Sequence, residues 1–440
     1  MTIKKEIHIV GAGLAGSECA LQLADRGYSV LLYEMRPLQM TPAHKTGRCA
    51  ELVCSNSLGS MIEPTAPAQL KWEMTKLGSY VLKAAHLAQV PAGQALSVDR
   101  EVFSSELTKW IDSHPNIKRI SKVVSDLDEL PRPAVICTGP LTEETLAQSL
   151  QSHFNGDFLY FYDAIAPIID ADSINMEICF KASRYDKGGS DYINCPLDRD
   201  QYFKLIEEIT KAEVVKPKDF ESTPYFESCL PVEVIASRGP MTLAFGPAKP
   251  RGLKDPKTGR EPFAVVQLRQ ENKHATAFNI VGFQTKMTYP EQKRVFRLIP
   301  GLENAEFLKL GSLHRNLFIN SPKLLTKTLS SKKDPLLFFA GQITGVEGYF
   351  ESTCTGMLVS HFIDAFFKER TPPLPPEESA LGALLAAITT EKANFQPTNI
   401  NWGLFPPLPK TKKIDKKASY VARAQLSFDN FLSLSGPHTL

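Results

Sequence analysis

Apolar residues follow two different patterns along this chain. Four short runs are almost continuously apolar, namely "KEIHIV", "SVLLYE", "AVICTG" and "LLFFAG". Such runs are typical of strands covered on both faces of a parallel sheet. The first is followed by "LAGSECALQLADRG", which predicts a helix ending at Gly27, and the last by a glycine-rich turn and a helix from about Glu351. We therefore expect an α/β domain.

A long segment before the last of these runs has another pattern. From residue 166 to residue 325 the chain contains the alternating runs "FAVVQL" and "AFNIVGF", many turn residues and little alternation of strand with helix. That pattern favours a mixed α+β domain inserted into the first. The predicted organisation is a Rossmann-type domain in two parts, residues 1–165 and 326–440, with residues 166–325 inserted between them.

Two other segments predict helices on the main body. The stretch "PAQLKWEMTKLGSYVLKAAHLAQV" is amphipathic and predicts a helix. The stretch "ESALGALLAAITT" follows the proline-rich connector "TPPLPPEE" and predicts another. Both are expected to cover the sheet.

The overall charge points to no particular partner, because 50 Lys and Arg residues stand against 48 Asp and Glu residues. No apolar run approaches the about 20 residues of a membrane span, and the start "MTIKKEIHIVGAG" has no signal-peptide pattern. We expect a cytoplasmic protein without a membrane partner. The sequence carries no indication of the oligomeric state.

A glycine motif follows the first predicted strand. It comprises Val10, Gly11, Ala12, Gly13, Leu14, Ala15 and Gly16. In a GxGxxG motif the first glycine permits a tight turn, the second lets a pyrophosphate approach, and the third lets helix pack on strand. Glu34 ends the next strand, 23 positions after Gly11, where a carboxylate can bond a ribose hydroxyl. This order of elements predicts a dinucleotide site.

Similar units open NAD proteins, FAD proteins and some S-adenosylmethionine methyltransferases, and two later segments favour FAD. "RPAVICTGP" predicts a return to the same sheet, and "FFAGQITGVEGYFES" predicts a strand, a glycine turn containing Gly341 and Gln342, and a helix whose free N–H groups face the flavin. The alternative is an ordinary last strand–helix unit. A nicotinamide cofactor would bind without its own fingerprint, since no second GxGxxG is present.

Cysteines are the other candidate chemistry. They stand at positions 19, 49, 54, 137, 179, 195, 229 and 354. Zinc sites usually show two close pairs of ligands, and no such set is present, so we expect no metal. Most of these thiols should be small buried hydrophobes. Cys49 and Cys54 in "GRCAELVCSNSLGS", and Cys229 in "FESCLP", are candidates for reactive thiols, with simple packing as the alternative.

Basic residues cluster in two segments even though the total charge cancels. "PAKPRGLKDPKTGRE" contains Lys249 and Arg251, and "PKTKKIDKKASYVARAQ" contains Lys412 and Lys413. Runs of this kind are usually solvated surface, and contact with nucleic acid is the alternative.

Several long stretches together carry a family resemblance. They include "VGAGLAGSECALQLADRG", "AELVCSNSL", "VPAGQALSVDREVF", "FESCLPVEVIASRG", "FGPAKPRGLKDPKTGREPFAVVQLRQEN", "YPEQKRVFRLIPGLENAEF" and "AGQITGVEGYFES". In these stretches the chain resembles the TrmFO family, the folate- and FAD-dependent tRNA (uracil-5-)-methyltransferases, relatives of the larger MnmG (GidA) flavoproteins. The resemblance runs from about residue 6 to beyond Trp402.

The resemblance implies a reaction in which NADPH or NADH reduces FAD, the flavin takes the one-carbon unit of 5,10-methylenetetrahydrofolate, and the carbon reaches C5 of the T-loop uridine in the tRNA T-arm. Uracil C5 becomes nucleophilic only after a thiolate has added to C6. Cys229 matches the cysteine that the family uses as this nucleophile. Cys54 matches a second cysteine, proposed to act as a base or to protect the intermediate, while Cys49 has no counterpart.

The same resemblance gives roles to further residues. Tyr349 is expected near the isoalloxazine or the folate, and His314 and Arg315 are candidates for the same pocket. A uridine that leaves the folded T-arm needs its backbone anchored by basic side chains. Lys249, Arg251, Lys412 and Lys413 are the candidates for that contact.

Some features depart from the pattern or leave alternatives. Gln342 stands where many FAD proteins place an acid, which leaves its ribityl contact open. A ribosomal RNA uridine is an alternative target, and an RNA-binding flavoprotein without methyl transfer is an alternative function that would not require Cys229. An MnmG-like tRNA modifier is disfavoured, because that family carries a longer C-terminal extension.

Overall fold

The structure is a computed structural model that describes residues 5–156, 158–186, 189–215, 230–392, 395–409 and 415–435. A parallel sheet forms the centre of the main body. Its strands are β1 Glu6–Val10, β2 Ser29–Glu34, β6 Ile117–Ser121, β7 Ala134–Ile136 and β16 Leu337–Phe339, in the order β16-β7-β1-β2-β6. Every neighbouring pair is parallel. The predicted α/β fold class is confirmed.

Helices cover this sheet. They are α1 Leu14–Asp25, α2 Ala66–Lys76, α3 Tyr80–Leu87, α4 Arg100–Ser113, α5 Glu144–His153, α11 Tyr349–Phe367, α12 Ala380–Thr389 and α13 Lys416–Ser435. A small antiparallel sheet lies beside them, with β3 Ser57–Ser60, β5 Ala95–Val98 and β4 Gln89–Val90 in the order β3-β5-β4. Sheet and helices share one apolar core, in which the side chains of Ile7, Ile9 and Leu32 have no exposed surface.

Two predicted helices have different limits in the structure. The amphipathic stretch forms α2 and α3, which are separated because Gly78 has a φ of +75° and Ser79 caps α3 by accepting a hydrogen bond from the Leu82 amide at 3.2 Å. The last residues of that stretch form β4. The helix expected from about Glu351 begins two residues earlier, at Tyr349, because Gly348 with a φ of +116° makes the turn before it.

The described part of residues 168–309 builds a second body. Its main sheet contains β9 Ile168–Asp170, β10 Phe180–Lys181, β11 Tyr192–Leu197, β12 Ala264–Gln270, β13 Ala277–Ile280 and β14 Phe307–Lys309, in the order β10-β11-β12-β13-β9-β14. Its neighbouring strands are antiparallel. The helices of this segment are α6 Arg199–Lys211, α7 Val232–Ser237, α8 Thr242–Phe245 and α9 Tyr289–Phe296. The short helix α10 Ser321–Leu324 follows β15, and its Leu324 packs in the core of the main body.

The second body has its own apolar core. Leu197, Val266, Phe283 and Phe296 are fully buried in it. The antiparallel pair of β8 Phe158–Ala164 and β15 Leu313–Ile319 leads into and out of this segment. The inserted body therefore meets the main body where these two strands join them.

Candidate active site

The glycine loop between β1 and α1 is shaped by two close backbone contacts and one open position. Gly11 has a φ of +98°, and a Cβ there would lie 2.5 Å from the carbonyl oxygen of Cys137. A Cβ on Gly16 would lie 1.9 Å from the carbonyl oxygen of Gly11. A Cβ on Gly13 would meet nothing within 4 Å. The first and third glycines thus serve packing, while the second faces open space.

Glu34 closes the loop from the end of β2. Its Oε2 accepts a hydrogen bond from the Ala12 amide at 2.9 Å, and its Oε1 accepts one from the Arg36 Nε at 2.8 Å. Burial opposes ionisation of this carboxyl, but the bonds and charge of Arg36 outweigh it and hold the pKa of Glu34 below its ordinary value. Glu34 is therefore a fixed carboxylate in the cleft.

A cleft with an empty volume of about 1020 Å³ runs across the ends of the parallel strands. Most of the residues predicted to bind the cofactor line it: Val10, Gly11, Gly13, Leu14, Ala15, Glu34, Gly341, Gln342 and Tyr349. Ala12 contributes its amide to Glu34, and Gly16 packs beneath the loop. The carboxyl ends of parallel strands are where α/β sheets bind ligands.

The far end of the cleft is formed by the turn after β16 and the start of α11. Gly341 has a φ of +86°, and its amide donates a hydrogen bond to the Thr355 Oγ1 at 2.6 Å. Gln342 donates from its Nε2 to the Glu347 Oε2 at 2.6 Å. A Cβ on Gly356 would lie 2.2 Å from the Ala15 carbonyl oxygen, so α11 and α1 pack very closely. This packing fixes both walls of the cleft relative to each other.

Cys54 lies in a loop at the same end, immediately after Val53, which lines the cleft. The hydroxyl oxygen of Tyr349 accepts hydrogen bonds from the amides of Cys54 at 2.6 Å and Ser55 at 3.2 Å. Burial, together with the nearby Cys54, raises the pKa of Tyr349. Tyr349 is therefore a neutral phenol that ties the start of α11 to the loop of Cys54.

The described cysteines differ sharply in exposure. Cys54 is half-buried, whereas the other six of this set, Cys19, Cys49, Cys137, Cys179, Cys195 and Cys354, are buried. Burial raises the pKa of Cys49 to about 11. Cys49 therefore stays a protonated thiol at neutral pH, and of these seven Cys54 is the one residue that is not buried, with its Sγ 4.0 Å from the Ala164 carbonyl oxygen.

A second hollow, with an empty volume of about 660 Å³, adjoins the cleft at Tyr349. Lys71 lines it, is 2% exposed, and donates to the carbonyl oxygens of Ser60 at 3.2 Å and Pro67 at 3.3 Å. Burial lowers the pKa of Lys71 to about 8. Because Tyr349 lines both spaces, this hollow belongs to the same site.

Comparison with known proteins identifies the family. A family model described as glucose inhibited division protein A matches residues 6–371. The methylenetetrahydrofolate–tRNA-(uracil-5-)-methyltransferase TrmFO of Bdellovibrio bacteriovorus is 65% identical over 415 residues, covering 94% of each chain. The protein of the same name from Aquifex aeolicus is 54% identical, covering 94% of this chain and 93% of its own. This chain belongs to the TrmFO family.

The structural comparison agrees with the family. The structure of Aquifex aeolicus GidA in the form II crystal superposes with a TM-score of 0.69 at 15% identity, covering 100% of this chain and 75% of that chain. At that identity the match concerns the fold, so this member of the TrmFO family has the GidA fold. The family resemblance predicted from the motifs is confirmed.

The cleft of this TrmFO-family chain fits FAD, the cofactor that its family implies. The open position at Gly13 leaves room for a pyrophosphate against the backbone, which a side chain would fill. The buried carboxylate of Glu34 lies at the end of β2, where a ribose hydroxyl is bound in such folds. Gly341 and the start of α11 then border the space for the rest of the molecule.

Several predicted site residues lie elsewhere or outside the described residues. Cys229, Lys412 and Lys413 are outside them. His314 and Arg315 belong to β15, where their backbones pair with Asp163 and Tyr162 of β8. Lys249 and Arg251 are exposed on a loop before β12 and do not line the cleft.

Sequence reasoning missed a group of cations around the Cys54 loop. Arg100 begins α4, Arg269 lies in β12, and Lys309 ends β14. These residues are 169 and 40 positions apart along the chain, and none belongs to a basic run. Arg100 lies in "SVDREVF" and Arg269 in "QLRQEN", both within stretches that carried the family resemblance, and this was the available signal.

Over the described ranges, no group of three or more His, Cys, Asp and Glu side chains is placed to hold a metal ion. In the part of the chain that the structure describes, no helix is both long and apolar enough to cross a membrane.

Proposed function

We propose that this chain methylates C5 of the T-loop uridine in tRNA, with 5,10-methylenetetrahydrofolate as carbon donor and NADPH or NADH as reductant. The relatives are named for folate-dependent methylation of tRNA uracil at position 5, so the sequence-based prediction of a folate-dependent tRNA (uracil-5-)-methyltransferase is confirmed; the T-loop position and the nicotinamide reductant are our proposal. The observation that carries the proposal is a half-buried cysteine, Cys54, in a loop that Tyr349 fixes beside a dinucleotide cleft.

The residues of the cleft hold and orient the cofactor in this proposal. Gly13 admits the pyrophosphate, Glu34 binds a ribose, and Gly341 with Tyr349 borders the flavin end. When bound, FAD supplies the electron transfer that turns a methylene carbon into a methyl group. Close packing of α1 on α11 keeps these groups in place before the cofactor arrives.

Two thiols act on the base in this proposal. The thiolate of Cys229 adds to uracil C6 and makes C5 nucleophilic. Cys54 then removes the C5 proton or shields the reactive intermediate. His314 and Arg315 remain candidates for the pocket wall, because β15 joins the inserted body to the main body.

The RNA contact is proposed for the exposed basic residues. Lys249 and Arg251 are fully available on the surface of the inserted body, and Lys412 and Lys413 precede α13, whose first residues Lys416 and Lys417 are exposed. Cations of this kind bind phosphates without reading sequence. We also propose the division into residues 1–165, 166–325 and 326–440 as domains and a place in the cytoplasm, where tRNA is modified.

Parallel incubations of FAD-loaded protein with unmodified tRNA and with unmodified ribosomal RNA, each with NADPH and methylenetetrahydrofolate labelled at the methylene carbon, test this function. Label is expected in 5-methyluridine of the T-loop, and S-adenosylmethionine labelled at its methyl group is expected to transfer none. Label found only in ribosomal RNA would mean that the substrate is a ribosomal RNA uridine and not tRNA. Bound RNA without label in either RNA would favour an RNA-binding flavoprotein that transfers no methyl group.

A further inference from the structure

The loop from Leu52 to Ser55 is held by cations instead of by neighbouring backbone. The guanidinium of Arg100 donates to the carbonyl oxygen of Leu52 at 2.8 Å and to that of Cys54 at 3.3 Å. The ammonium of Lys309 donates to the carbonyl oxygen of Val53 at 3.0 Å. Three consecutive carbonyls therefore accept from positive charge, two on the residues before Cys54 and the third on Cys54 itself.

The cations come from different elements and outnumber the acids that face the thiol. Arg269 donates from its Nη2 to the Ser55 Oγ at 2.8 Å. Glu271 is the facing carboxylate, and it pairs with the Arg100 Nε at 2.7 Å while it also accepts a hydrogen bond from Asn279. Tyr349 on α11 is neutral. Among the described side chains that bond this loop, Arg100, Arg269 and Lys309 are cations, and Glu271 beside Arg100 is an anion, so these four carry a net charge of about +2 when ionised.

The charge of Cys54 also affects the pKa values of the three neighbouring cations. Cys54 is among the charges that act on Arg100, Arg269 and Lys309, and for each of them its thiolate favours the charged form. Burial and the nearby cations Arg100 and Lys45 lower the pKa of Lys309 to about 8. Attraction between a thiolate and a cation is mutual, so the same contacts favour the ionised form of Cys54.

We propose that Arg100 is a positioning residue for Cys54, which fixes the loop through two carbonyls and, together with Arg269 and Lys309, keeps the thiol ionised at neutral pH. The thiol proton is released to solvent. The thiolate is then the form in which Cys54 takes part in methyl transfer, and this consequence rests on the proposed function. The ionisation itself does not rest on it.

Cys49 provides the internal comparison. It lies five positions before Cys54 in the same polar stretch, and Arg119 is its nearest electrostatic support. Burial outweighs that support and keeps its pKa near 11. A single cation beside a fully buried sulfur is therefore insufficient, whereas Cys54 is half-buried and faces three.

The test is the pH dependence of iodoacetamide alkylation at Cys54 in the full-length, FAD-loaded protein, with each cysteine quantified by peptide mapping. The wild-type midpoint is expected at least about one unit below the ordinary thiol value of about 8.5. Arg100→Gln is expected to raise it by about one unit or more, which lowers the thiolate fraction at pH 7 about tenfold. Arg100→Lys is expected to keep most of the low midpoint.

Arg100→Lys separates charge from position. An ammonium cannot bond Glu271, Leu52 and Cys54 with the fixed fork of a guanidinium, so methylation is expected to fall in this variant while the alkylation midpoint stays low. Lys309→Gln is the second arm and is expected to raise the midpoint as well. Arg294→Gln on α9, where Arg294 pairs with Glu291 and Glu208 away from the loop, is the control and is expected to change neither.

An unchanged midpoint in Arg100→Gln and Lys309→Gln, or a wild-type midpoint at or above about 8.5, would overturn the proposal. If Arg100→Gln does not fold, as judged by lost FAD and near-ultraviolet circular dichroism, Lys309→Gln alone decides. A low midpoint in a protein that transfers no label to RNA would sustain the ionised thiol and reject the proposed function, so the two failures are distinct.

Discussion

The glycine loop lines the cleft, the Cys54 loop borders the same cleft through Val53, and the two loops are built by opposite means. The glycine loop is formed by backbone that packs on backbone, with Gly16 against Gly11 and Gly11 against Cys137. The Cys54 loop is formed by long side chains from other elements, with Arg100 and Lys309 on its carbonyls. The first is local in sequence, and the second draws on residues far along the chain.

This difference has a physical origin. A pyrophosphate needs backbone amides and the absence of a side chain, and both are properties of a short contiguous segment. A thiolate is stabilised by nearby positive charge, and long Arg and Lys side chains from any helix or strand can supply that charge. A cofactor site can therefore be recognised from a few neighbouring letters, whereas the surroundings of a reactive thiol are assembled by the fold.

The largest effect is expected from a substitution in the glycine loop. Gly13→Val places a side chain in the open space of the loop, so FAD is expected to be lost almost completely while the protein stays folded. Flavin absorbance of the purified protein measures this directly.

Gly13→Ala and Gly16→Ala form a matched pair for the same loop. A Cβ at Gly13 meets nothing within 4 Å, so stability is expected to change little, whereas a Cβ at Gly16 overlaps the Gly11 carbonyl and is expected to cost about 1–3 kcal/mol. Equal stabilities in urea unfolding, or full FAD occupancy in Gly13→Val, would contradict the division of roles among these glycines.

The next effect concerns the two thiols of one stretch. Cys54→Ala is expected to reduce methylation by about 100-fold or more, since the group that removes the C5 proton or shields the intermediate is lost, while FAD remains bound. Cys49→Ala is expected to be nearly silent in activity and to cost at most about 1 kcal/mol of packing. The assay is transfer of labelled carbon to tRNA, with flavin content as the check on folding.

A trapping experiment sharpens this result. With 5-fluorouridine in the T-loop, the adduct between protein and RNA is expected to need Cys229 and to form still in Cys54→Ala, because fluorine cannot leave as the C5 proton does. An adduct that persists in Cys229→Ala and disappears in Cys54→Ala would exchange the two roles.

The smallest effect is a pH dependence of the free energy of unfolding, caused by Lys309 at the Cys54 loop. The pKa of Lys309 is lowered to about 8 in the folded protein, against about 10.4 in an unfolded chain. Between these values the unfolded state binds more protons, so this residue makes the free energy of unfolding rise with pH. Lys309→Met removes the cost of burying this charge, which is larger at pH 7 than at pH 10. The free energy of unfolding of the variant, relative to that of the wild type, is therefore expected to be about 1–2 kcal/mol lower at pH 10 than at pH 7.

The exposed Lys204 on α6 gives the control, and Lys204→Met is expected to show no such trend. Urea unfolding at several pH values provides the measurement. A constant difference between Lys309→Met and wild type from pH 7 to pH 10 would mean that Lys309 carries no burial penalty.

Much of the main body follows from sequence. The strand β2 has the limits that its apolar run predicts, and Gly27 ends the turn after α1 with a φ of +86°. The glycine motif, Glu34 and the turn at Gly341 meet in one cleft, as parallel strands require. The break between α2 and α3 was missed, because an amphipathic pattern continues across Gly78 while the local backbone does not.

The surroundings of Cys54 were not predictable in the same way. Arg100, Arg269 and Lys309 are single cations in strands and at a helix start, and such residues are usually solvated or paired at the surface. Only the packing of the inserted body against the main body brings them to one loop. The family resemblance named the thiol, and the fold was needed to show what surrounds it.

The fastening of the Cys54 loop has a mechanical consequence. Arg100 belongs to the main body and Lys309 to the inserted body, and each body has its own core. The Cys54 loop is therefore bonded to both bodies and cannot move with one of them alone. Displacement of one body against the other loads both sets of bonds together, so a force applied to the inserted body is transmitted to the position of one sulfur atom.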